Sequence, residues 1–157
     1  MSRIARIALA ALAVVVAAPR AAQAADATNT FTVTAAVAKT CSVSAAAVVL
    51  PGYDPNSTAA TVGTTNVNVT CTRGTSYTTT LKSTNNWNLV DTVTPANKLS
   101  YKITQGATTT AWDANTGWAG VAGSRAAQTY VATVTVPPTQ DVPAGTYVDT
   151  VTVNVNY

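Results

Sequence analysis

The chain has 157 residues, 47% of them hydrophobic and only 10% charged, with a formal charge of +3 and no His. That length suits one domain. Without His there is no imidazole to act as base or metal ligand. Glu is also absent, so the only acids are six Asp scattered through turns, and the chain is expected to be no enzyme and to carry no cofactor or metal.

Residues 1–24, MSRIARIALAALAVVVAAPRAAQA, carry basic Arg3 and Arg6, an apolar run over 7–18 and the small-x-small site Ala22-Gln23-Ala24. This is the pattern of a secretory signal peptide. The apolar run is shorter than the roughly 20 residues a membrane-spanning helix needs. Its removal takes Arg3, Arg6 and Arg20, so nine basic residues become six against six Asp. No basic stripe remains, and no nucleic-acid partner is expected. A near-neutral surface rich in Thr, Asn and Ala suits a protein that associates.

The segment 25–43, ADATNTFTVTAAVAKTCSV, lacks Gly and Pro. Phe31, Val33, Ala35 and Val37 share one parity, while Thr28, Thr30, Thr32 and Thr34 share the other. Fully extended at about 3.3 Å per residue, its 19 residues span roughly 60 Å, far more than a typical strand of about 5–6 residues. It contains no turn signal at which to fold back. Residues 25–38 are therefore predicted to project as an extension, with the domain proper at 39–157. In an exported chain Cys41 and Cys71 have one intramolecular pairing, and the oxidising compartment favours it. Closing that loop of about 30 residues contributes roughly 3–4 kcal/mol on the chain-entropy argument.

After Cys41, period-two stretches rich in Val, Thr and Tyr are separated by Gly, Pro and Asn. LPGYDPNSTAATVGTT (50–65) reads as a loop, and NVNVTCT (66–72) as a strand with Val67, Val69 and Cys71 on one face. SYTTTLK (76–82) follows the turn signal Arg73-Gly74, and LSYKIT (99–104) places Leu99, Tyr101 and Ile103 together. QTYVATVTV (128–136) aligns Tyr130, Ala132, Val134 and Val136 before Pro137-Pro138. The irregular stretches 83–98 and 107–123 hold Trp87, Trp112 and Trp118, candidate ligand-contact loops for a carbohydrate face or another surface. Within them, Asp113 to Gly117 faintly resembles a calcium loop but lacks its later acidic ligand. Asn56-Ser57-Thr58 and Asn68-Val69-Thr70 fit the glycosylation sequon, which matters only on a eukaryotic secretory route.

GTYVDTVTVNVNY (145–157) reads as one strand with Val151, Val153, Val155 and Tyr157 on one face. Strands at this spacing with no helix between them indicate an all-β antiparallel sandwich. The last strand needs a neighbour and the extension needs a sheet. Two copies of the chain satisfy both.

The run of FTVTAAVAKTCSV into a Cys, the second Cys in VNVTC, the strand LSYKI leading to AWD, and above all PAGTYVDTVTVNVNY resemble the spore coat protein U domain family. Its members include subunits of archaic chaperone–usher pili, and the likeness covers essentially the whole mature chain. The resemblance implies an incomplete immunoglobulin-like sandwich whose missing strand is supplied by a neighbour's extension, a form of β-strand addition. Donor residues would be Phe31, Val33, Ala35 and Val37 with Ala27, and the acceptor edge Val151, Val153, Val155 and Tyr157. Burying Phe31, Val33 and Val37 at roughly 1.5–3 kcal/mol each supplies several kcal/mol before ordering costs. Unlike donor and acceptor faces make an open fibre rather than a closed dimer. The uncovered groove is an aggregation-prone edge. Expected partners are copies of the chain or related pilus subunits, a periplasmic chaperone and an outer-membrane usher, with export to the periplasm and then the cell surface or an extracellular fibre. The reading from a different class is a secreted monomeric binding module, or a fibre-tip adhesin, acting through the Trp loops.

Overall fold

The computed structural model describes residues 25–157, so the signal peptide read at 1–24 lies outside the described residues. The chain divides into Met1–Ala35 and Ala36–Tyr157, and all ten strands belong to the second unit. In the first, residues 25–35 form no strand and are exposed.

The strands are β1 (Cys41–Ala45), β2 (Thr61–Cys71), β3 (Ser76–Ser83), β4 (Asn88–Asp91), β5 (Lys98–Ser100), β6 (Lys102–Gln105), β7 (Trp118–Val121), β8 (Gln128–Val136), β9 (Tyr147–Val148) and β10 (Val151–Asn156). They build an antiparallel sheet in the order β1-β2-β8-β6, a second in the order β10-β3-β7, and a small third, β5-β4-β9. No helix is present among the described residues.

Alternation dictates the core, because residues two apart share a face. Val67, Val69 and Cys71 of β2 and Tyr130, Ala132, Val134 and Val136 of β8 are buried. They join Tyr77 and Leu81 of β3, Leu99, Tyr101, Ile103 and the fully enclosed Trp112 in one cluster. Across β3 and β7 the packing is close enough to require glycine. A Cβ on Gly120 would collide with the Tyr130 hydroxyl and lie 2.7 Å from Tyr77 Cζ.

Three expectations from sequence are revised. The loop expected over 50–65 ends earlier, since β2 begins at Thr61 and its first residues pair with the end of β8, Thr61 opposite Val136. The run 99–104 is two strands, which part at Tyr101 and enter different sheets. The run 145–157 likewise breaks at Asp149-Thr150, with β9 in the small sheet and β10 beside β3. The two changeovers are tied together, because the Tyr101 hydroxyl donates to Asp149 Oδ2 at 2.6 Å. Alternation alone does not disclose such a break, because the residue parity runs through it unchanged.

Candidate functional site

β1 and β10 are the outer strands of their sheets, and each has one hydrogen-bonded neighbour. β1 pairs with β2 in the register Cys41–Cys71, Val43–Val69 and Ala45–Val67. Opposed residues of an antiparallel pair share a face, so Val43 and Ala45 point the same way as core residues. Yet Val43 is 39% exposed and Ala45 is exposed, while their partners Val69 and Val67 are at 1% and 2%. The layer that would cover them is missing.

β10 shows the same deficit from the other sheet. Val153 and Val155 sit opposite Leu81 and Thr79, which are enclosed, but are themselves only half-buried, as is Val151. Between the two edges lies an apolar cleft of about 250 Å³, floored by Leu81, Tyr101, Ile103 and Val134 and rimmed by the alanines 45–47, Val151 and Val153. The edges approach within 8 Å between Cα atoms at places. A strand seated between two others needs about twice the 4.7–4.9 Å interstrand spacing. The cleft must therefore widen to accept one.

One carboxylate stands among these apolar residues. Asp149 lines the cleft at the Val151 end. It accepts the Ser83 hydroxyl at 2.5 Å and the Tyr101 hydroxyl at 2.6 Å on Oδ2, and the Asn85 N–H at 3.1 Å on Oδ1. Burial, followed by this hydrogen bond to Asp149, pushes the Tyr101 phenol well above its ordinary range. The site residues proposed from sequence omitted Asp149, although its parity with Val151, Val153 and Val155 was a readable signal. Also missed were the alanines of the rim, which carry no chemical signature.

The disulfide between Cys41 and Cys71 is present and joins two directly opposed residues of β1 and β2. Just before it, the chain is clamped by Thr72. The Thr72 hydroxyl donates to the Ala38 carbonyl at 3.1 Å and accepts the Thr40 N–H at 3.1 Å, while Thr72 N–H donates to the Thr40 carbonyl at 2.9 Å. The residues read as donor, Ala27, Phe31, Val33, Ala35 and Val37, are all exposed, with Phe31 at 88%. Tyr157, placed on the acceptor edge from sequence, lies just past β10 and is exposed.

The tryptophans do not make a common ligand face. Trp112 is wholly buried and its indole N–H donates to the Thr79 carbonyl at 2.9 Å, so its assignment to a ligand loop is corrected to core. Trp118 packs on Tyr130 at 4.8 Å between ring centroids, and Trp87 stands apart, edge-on to Tyr101 at 5.9 Å. The polarity of the flanking Asn and Thr masked this, because the loops are polar while their indoles turn inward. Asp113 is occupied in its own turn, accepting the N–H groups of Asn115 and Thr116 at 2.8 and 2.7 Å.

The family model described as the Spore Coat Protein U domain matches residues 27–154. Among solved structures, the chain is similar to a chain of the CsuC–CsuE chaperone–tip adhesion subunit pre-assembly complex from archaic chaperone–usher Csu pili of Acinetobacter baumannii. The TM-score is 0.60 and the sequence identity 24%, over 77% of this chain and 40% of that one. The likeness is one of fold, and this chain spans less than half of the length it is compared with. No curated protein matches.

Proposed function

Because the chain belongs to the Spore Coat Protein U domain family, we propose that it is a structural subunit of a bacterial surface pilus or coat fibre, assembled by donor-strand exchange. The observation that carries this reading is the exposure of core-facing Val43 opposite enclosed Val69, beside a β10 whose outer edge has no partner strand. The sandwich is short of one strand, and the alternating segment 25–37 has the apolar parity to supply it to a neighbouring copy. Main-chain hydrogen bonds along β10 give affinity, and side chains entering the cleft set register.

An uncovered cleft of this kind is an aggregation hazard. A periplasmic chaperone covering it until an outer-membrane usher delivers the subunit meets that requirement, and the chaperone complex in the similar solved structure supports the same partners here. Export to the periplasm and then the cell surface follows from this route.

Denaturing gels run with and without boiling test the reading. The assembled protein should give a heat-sensitive ladder, and deletion of residues 25–36 should abolish it while leaving a chaperone-bound subunit. A truncated chain that still polymerises would show the donor assignment to be wrong.

A further inference from the structure

We infer that, in the fibre, Lys39 of one copy pairs with Asp149 of the next, and that this charge pair fixes the register of the inserted strand. The inference rests on the donor-strand reading above and adds the direction and the residue-by-residue pairing.

Direction follows from the two ends of the sandwich. Cys41 is opposite Cys71, the turn after Cys71 leads into β3, and Thr78 near the start of β3 is opposite Asn156. The start of β1 and the finish of β10 therefore share one end of the domain, and the extension departs from it, where Thr72 holds residues 38–40. Val151 and Asp149 stand at the other end. For identical copies to repeat head to tail, the extension must enter its neighbour at the Asp149 end and run towards the neighbour's Cys41 end. It then lies antiparallel to β10.

Register follows from chemistry. An antiparallel strand that keeps Phe31, Val33, Ala35 and Val37 on the cleft face can shift only in steps of two. If Val37 faces Val151, then Ala35 faces Val153, Val33 faces Val155 and Phe31 faces Tyr157. Lys39, next on the same face and exposed in the single chain, meets Asp149 at the mouth of the cleft. A shift of one step puts Val37 against the Asp149 carboxylate and carries Lys39 past it, beyond the break where the chain leaves this sheet. The opposite shift drives the Lys39 ammonium against Val151, where an unpaired charge is costly. Only one register sets four apolar residues against four and a cation against an anion. The sole acid in the cleft lining and the basic residue nearest the donor thus meet at the position where apolar pairing ends.

Paired cysteines read the register in assembled full-length protein. The combination of Ala35→Cys with Val153→Cys should oxidise to a ladder that survives boiling and collapses with reductant. Ala35→Cys with Val151→Cys, and with Val155→Cys, should stay heat-sensitive. A boiling-resistant ladder from either of these instead, or from none of the three while heat-sensitive ladders form, overturns the register and leaves the fibre reading standing. No ladder from the unaltered protein defeats the fibre reading itself. Lys39→Met should lower the temperature at which the ladder collapses, with Lys39→Arg restoring it. An unchanged collapse temperature in Lys39→Met refutes the charge pair.

Discussion

Asp91 is one of four polar side chains buried in the domain, and its partners explain why. The Val93 N–H donates to Oδ1 at 3.0 Å and the Asn97 amide to Oδ2 at 3.3 Å. Chiefly the Val93 bond, with help from Asn97 and Thr94, holds the carboxyl below its usual range, against the opposing effect of burial. A folded-state pKa below the unfolded one gives stability that is present above about pH 4 and is lost as pH falls through the folded value. Asp91→Asn should therefore flatten the acid limb of a Tm–pH curve, and an unchanged acid slope would refute the assignment. Tyr77 and Tyr101 have the opposite sign. Burial first, and then hydrogen bonds to Tyr130 and Asp149 respectively, raise both phenols above their ordinary 10.0. Their contribution is intact below that pH and lost above it, so phenolate absorbance and unfolding should rise together in alkali.

At the scale of elements, β1 is an edge strand of five residues held by β2 on one side and a single covalent link. Replacing Cys41 and Cys71 together by Ala should cost roughly 3–4 kcal/mol, since the link closes a loop of about 30 residues in the unfolded chain. Urea unfolding measures that loss, and a change below about 1 kcal/mol would mean that β1 is held by its β2 ladder and the Thr72 clamp instead. The strands themselves were largely legible. β2, β3, β8 and β10 advertise period-two Val, Thr and Tyr over six or more residues. β4 and β7 were not, because each has only four residues and lies in a stretch rich in Asn, Thr and Gly, while β9 was read as part of one longer strand. So short a strand offers too few alternations to register, and only its pairing partners hold it in place.

At the scale of the molecule, an incomplete sandwich has a measurable consequence. β3 is flanked by β10 and β7, whereas β10 is flanked by β3 alone. Backbone groups on the outer edge of β10 have no ladder partner in the single subunit and gain one in the proposed fibre. In hydrogen exchange, alternate amides of β10 should exchange quickly in the free subunit and slowly in the fibre, while β3 stays slow in both. Equal protection of β10 in both states would mean that no strand is added at this edge. The approach of β1 to β10 within 8 Å adds that the groove in the lone chain is narrower than an occupied one. The proposed insertion would have to spread the two sheets as well as fill them.

Composition and alternation by themselves determined the all-β class, because alternation is written in local spacing, and the pairing of Cys41 with Cys71, because the chain has only two cysteines. Tertiary structure decided what local spacing does not encode. It buried Trp112, split two apparently continuous strands at Tyr101 and Asp149, and left Val43 bare opposite an enclosed Val69. The physical reason is the same in each case. Parity states which residues share a face, but whether that face is covered depends on strands distant in the chain.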